Sequence, residues 1–93
     1  MKRKDDSGQA WEDTEVEAAI IRIVAKLSPG FPAKDIKRGT KFGDLGWDQW
    51  YRLRVVKPIR NTLHEKLEDN VVLGLDTVGD LIDYVWSRME DVA

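Results

Sequence analysis

Two apolar stripes at helical spacing, one near each end of the chain, constrain its fold more than any other feature. In the first, Val16, Ile20, Ile23, Val24 and Leu27 share one face, while Glu15, Glu17, Arg22 and Lys26 take the other. In the second, Val78, Leu81, Ile82, Val85 and Met89 line up, with Trp86 at the flank. A strand would scatter these residues over both its faces. A helix gathers them on one, and that face has to be buried against another element. The end signals agree. Thr14 with Glu17, and Thr77 with Asp80, have capping-box spacing, in which a hydroxyl and a carboxyl each accept a backbone N–H left free at a helix start. The spacing predicts helices over about 14–27 and 77–89. Ser28-Pro29-Gly30 stops the first, and Pro32 prevents its resumption.

A long connection, 28–47, joins the first helix to the middle of the chain. Its apolar members Phe31, Ile36, Phe42 and Leu45 are expected to pack onto the core, and Gly39, Gly43 and Gly46 permit tight turns. A second long helix is expected to open at Asp48, whose carboxylate suits a helix start. Leu53, Val56, Ile59 or Arg60, and Leu63 form its inner face, widened by Val55. Trp50, Arg54 and Lys57 step along another. Pro58 conflicts with this pattern. It has no N–H for the Arg54 carbonyl, a cost of about 3 kcal/mol inside a helix, so a kink or a break is expected there. Residues 67–75 read as a short helix or turn, with Val71, Val72 and Leu75 inward.

The expected fold is therefore all-α, a small four-helix bundle of three longer helices and one short one. Residues 1–13 read as a flexible leader because they are polar and aperiodic, with Trp11 as the exception; residues 14–93 form the domain. Ninety-three residues suffice for one core and one domain. There is no cysteine, so a disulfide framework and a thiolate metal site are both excluded. The single histidine, His64, reads as a helix-face residue and cannot build a metal site alone. Without a placed nucleophile pair or a metal cluster, the chain does not read as an enzyme. It has no apolar run of the ~18 residues that cross a membrane. Its charged start lacks the apolar centre of a secretory signal, so the cytoplasm is the expected compartment.

Charge is unevenly placed. Residues 1–48 hold nine basic and nine acidic side chains. Residues 49–66 hold Arg52, Arg54, Lys57, Arg60 and Lys66 against Glu65, and residues 67–93 hold seven acids against Arg88. A basic band thus lies between a neutral and an acidic section.

The stretch Phe42-Gly43-Asp44-Leu45-Gly46-Trp47-Asp48-Gln49-Trp50, followed by a helix and then by Asp76-Thr77-Val78 and Ile82-Asp83-Tyr84, resembles the acyl carrier protein family. The family pattern is a phenylalanine, then Asp-Leu-Gly-x-Asp-Ser-Leu, with a Thr-Val motif opening the last helix. The resemblance covers about residues 16–85 and implies the family's bundle of helices. It also implies a phosphopantetheine arm on the serine after Asp48, but Gln49 stands there. A carboxamide is a very poor nucleophile toward phosphorus, and Ser7, Ser28 and Ser87 lie elsewhere in the chain. No cofactor is therefore expected, and Asp48 is left with helix capping. The family's second helix is usually acidic and is read by basic partner surfaces; here the matching positions are Arg52, Arg54, Lys57 and Arg60.

The favoured function is a carrier-like domain without the arm, binding an acidic protein surface through Trp47, Trp50, Tyr51, Arg54 and Lys57. Aromatic and arginine side chains are the types enriched at binding hot spots, and complementary charge selects the partner. One alternative is a carrier modified at another site or by an unusual route. A weaker one is nucleic-acid binding through the same helix with Trp50 stacking on a base, which the acidic last section opposes. Pairing between copies, basic helix on acidic helix, is left open.

Overall fold

The two apolar stripes do become helices, and they pack on each other. A computed structural model describes residues 1–92. Helix α1 spans Asp13–Lys26, α2 Val56–Leu63, α3 Asp69–Val72 and α4 Val78–Arg88. Helix α1 packs against both α4 and α2. Val16, Ile20, Ile23 and Val24 from α1 are buried with Ile59 and Leu63 from α2, and with Val78, Leu81, Ile82 and Val85 from α4. Met89 is buried just beyond α4, while Leu27 and Trp86 are half-buried at the margin of the core.

Helix α1 begins earlier than its sequence signal: its N-cap is Glu12, two residues before Thr14, and Glu15 takes the box position expected of Glu17. The Glu15 Oε1 accepts the Glu12 N–H at 2.7 Å. Helix α4 starts as its sequence indicates: Asp80 N–H donates to Thr77 Oγ1 at 3.1 Å and Thr77 N–H to Asp80 Oδ2 at 3.2 Å. Both starts carry acids in the first turn, which suits the positive end of the helix dipole.

The expectation of an all-α bundle is corrected by a three-stranded antiparallel sheet. Its strands are β1 (Lys2–Lys4), β2 (Ala10–Glu12) and β3 (Glu90–Asp91), in the order β2-β1-β3. Two of the three strands come from the segment read as a leader, and the third follows α4. The register explains the pairing. Lys2 faces Glu12, Lys4 faces Glu90 and Arg3 faces Asp91, so each basic residue of β1 lies opposite an acid. Arg3 fixes the join: its Nε donates to Asp91 Oδ1 at 2.9 Å and its Nη1 to the Trp86 carbonyl at 2.7 Å, with the guanidinium 4.9 Å above the Trp86 ring.

The turn between β1 and β2 is built around Asp5. Its Oδ1 accepts N–H bonds from Ser7 and Gln9 at 2.9 and 3.0 Å and the Ser7 hydroxyl at 2.6 Å. Its Oδ2 accepts the Trp11 indole N–H at 2.8 Å. Burial works against the charge on Asp5, but the bonds from Ser7, Trp11 and Gln9 outweigh it and hold the carboxyl below its ordinary value.

The connection 28–47 is packed, as its apolar residues require. Ile36, Phe42 and Leu45 are buried, whereas Phe31 is exposed. It contains short 3-10 helices at Ala33–Asp35 and Phe42–Leu45. It is tied to the start of α4 by three backbone bonds: Phe42 N–H to the Asp76 carbonyl, Val78 N–H to Thr40 and Gly79 N–H to Arg38, at 3.0, 2.9 and 2.7 Å.

Candidate functional site

The long helix expected from Asp48 does not form as one α-helix. Residues Tyr51–Val55 are a 3-10 helix, and α2 begins only at Val56. Pro58 accounts for the change. In an α-helix its ring would meet the Arg54 carbonyl and leave it without a donor. With α2 starting at Val56, Pro58 lies in the first turn, where the absent N–H has no intrahelical partner to lose. The open question of kink or break is answered by this change of helix type. Asp48 still caps the start: its Oδ1 accepts the Tyr51 N–H at 2.7 Å.

The change of helix type rearranges the side chains. A 3-10 helix has about three residues per turn, so positions i and i+3 eclipse. Arg54 accordingly lies over Tyr51, its guanidinium carbon 4.8 Å from the ring centroid. Asp48, Trp50, Tyr51 and Arg54 together line a shallow hollow of about 210 Å3. Trp50 is 68% exposed, the most exposed aromatic residue described. Gln49 and Asp48 are exposed beside it, and Lys57 is exposed further along.

Trp47 differs from the other candidates. It is only 4% exposed and belongs to the core. Gly46, at φ +79°, takes the left-handed conformation that ends the 3-10 helix Phe42–Leu45 and turns the chain back. Trp47 N–H then reaches the Phe42 carbonyl at 3.1 Å. Its ring stacks on Phe42 at 5.1 Å with 12° between the planes, and its indole N–H donates to the buried Ser28 Oγ at 3.0 Å. Tyr51 is intermediate. Its ring lies 5.1 Å from Trp47, and its hydroxyl donates to the Leu27 carbonyl at 2.7 Å. The hydroxyl of Tyr51 anchors the 3-10 helix to the end of α1, and a face of its ring meets Arg54.

The basic residues divide in the same way. Arg52 is drawn inward: its guanidinium lies 5.6 Å from the Phe42 ring centroid, with Nη1 donating to the Leu73 carbonyl at 3.3 Å. Among the described residues, no carboxylate forms an ion pair with Arg54, Lys57 or Arg60. The acids near the C-terminus therefore do not neutralise this band by contact.

Elsewhere, a cleft of about 290 Å3 between α1 and α4 has Ile82 and Trp86 at its apolar side and Asp13, Thr14, Glu17, Arg38 and Asp83 around it. Arg38 spans it, donating to Glu17 Oε1 at 3.0 Å and to Asp83 Oδ1, and these bonds raise the guanidinium's affinity for its proton. The cleft is thus an internal clasp that closes the connection 28–47 onto both helices. Neither Arg38 nor Glu65, which is buried at 2% exposure, stands out in the sequence, because nothing local marks their partners.

Comparison with protein-family models, with curated proteins and with solved structures finds no match for this chain. No helix among the described residues is long and apolar enough to cross a membrane.

Proposed function

We propose that this chain is a carrier-like domain without a prosthetic arm, which binds an acidic protein surface through Trp50, the Tyr51–Arg54 pair and Lys57. The observation that carries this reading is the exposure of Trp50 beside cations that have no carboxylate partner among the described residues. An indole left 68% in water at the rim of a hollow gains most by being covered. An arginine whose guanidinium carbon already lies 4.8 Å from a tyrosine ring centroid loses less freedom when a carboxylate arrives than one extended into water. Gln49 occupies the position of the carrier serine in the resembling motif and offers an amide, a hydrogen-bonding group rather than a nucleophile. Trp47 leaves the set of contact residues and acts from below, fixing Tyr51.

The test is capture from native lysate with the intact domain, beside Arg54→Glu/Lys57→Glu and Trp50→Ala variants whose folding is checked by circular dichroism. The reading expects an acidic protein held by the parent, lost by both variants and released by moderate salt. A protein held equally by all three baits would refute it.

A further inference from the structure

We propose that the N-terminal hairpin, β1 and β2, is held on the domain by a proton-controlled latch at Glu65, docked at acidic to neutral pH and released as pH rises. The latch starts from the backbone. His64 takes the left-handed conformation, φ +55°, and ends α2 there. The chain then leaves the helix, with Leu63, Glu65 and Leu67 buried and His64 and Lys66 exposed. This period-two alternation turns Glu65 inward between two leucines. There it meets the hairpin turn: the Asp6 N–H donates to Glu65 Oε2 at 3.0 Å.

The groups facing Glu65 are Asp5 and Asp6 from the hairpin and Arg88 from α4. Burial first, and then the charge of Asp6, push its carboxyl up to about 7, against the Asp6 N–H and the attraction of Arg88. Asp5 stays ionised, because its own hydrogen bonds favour the charge. Ionising Glu65 therefore places a second buried carboxylate against a hairpin turn that already carries one.

The sign follows from linkage. Glu65 holds its proton more tightly when the hairpin is docked than when the carboxyl is in water, where its ordinary value is 4.5. Docking is therefore favoured in full below 4.5, and the advantage is lost as pH rises through about 7. Between pH 6 and pH 8 the opening equilibrium is expected to increase about tenfold, and to level off above that. Opening would part β1 from β3 and lift the Arg3 guanidinium from the Trp86 ring, uncovering that indole beside the α1–α4 cleft.

The experiment is amide hydrogen exchange on the full chain, read at Arg3, Lys4 and Trp11 and corrected for intrinsic rates. Protection of these amides is expected to fall about tenfold from pH 6 to pH 8, while protection in the middle of α1 stays level. In Glu65→Gln, which is neutral at every pH, the hairpin amides are expected to show no such fall. Asp6→Asn keeps the donor and removes the charge, so its transition is expected at lower pH. A wild-type hairpin with pH-independent protection would overturn the latch. So would a folded Glu65→Gln with the wild-type response, or an Asp6→Asn transition at the wild-type pH.

Discussion

Replacing Trp47 by alanine separates the two tryptophans that the sequence places side by side in function. Trp47 is 4% exposed and Trp50 68%. A tryptophan ring buries about 200 Å2, and at about 25 cal/mol per Å2 that is close to 5 kcal/mol, of which alanine retains a small part. The stacking on Phe42 is lost as well. The Ser28 hydroxyl, itself buried, is left without its indole donor, a further cost of about 1 kcal/mol. Partial collapse of the space offsets some of this, and measured losses for such truncations run about 3–5 kcal/mol. The expected destabilisation of Trp47→Ala is therefore about 4 kcal/mol. Trp50→Ala is expected to stay within about 0.5 kcal/mol of the parent, as exposed positions do. Urea denaturation followed by far-ultraviolet circular dichroism measures both without relying on tryptophan emission. Equal midpoints for the two variants would refute the assignment of Trp47 to the core and Trp50 to the surface.

Two further substitutions probe the backbone. At Gly79, a Cβ would stand 2.8 Å from the Arg38 carbonyl oxygen, which the Gly79 N–H holds in place at 2.7 Å. Gly79→Ala should therefore destabilise by about 1–3 kcal/mol despite the better helix propensity of alanine; a rise in the thermal midpoint would contradict the packing of 28–47 on α4. His64 is exposed and left-handed, a conformation that costs a residue with a Cβ about 1 kcal/mol. His64→Gly should raise stability by up to about 1 kcal/mol, and a loss on denaturation would show that the α2 terminus is not left-handed.

Trp50, Arg54 and Lys57 are exposed and Tyr51 is half-exposed, because the inner face Val55, Ile59 and Leu63 takes the buried positions. Pro58 announced a conflict but not its resolution. A kink, a break and a change to 3-10 geometry all remove the same clash, and the choice between them depends on Asp48 capping Tyr51 and on Tyr51 reaching Leu27. Trp47 gave no local sign of its depth. Its fate depends on a left-handed Gly46 and on Ser28, nineteen residues away.

Local chemistry decides the two amphipathic helices, the Thr77–Asp80 cap, and the burial of Ile36, Phe42 and Leu45 within a connection that has little regular structure. Periodicity and capping act over one or two turns, so they can be read from neighbours alone. Contacts between distant parts of the chain settle the remaining features. Lys2, Arg3 and Lys4 look like a solvated charge run until Glu90 and Asp91 are brought beside them by the course of the whole chain. Glu65 looks like a helix-surface acid until His64 turns the backbone and the Asp6 N–H arrives from the other end of the molecule. Short strands cannot hold a sheet by their own propensity. They form here because the packed helices place the termini within hydrogen-bonding reach, and opposite charges then set the register.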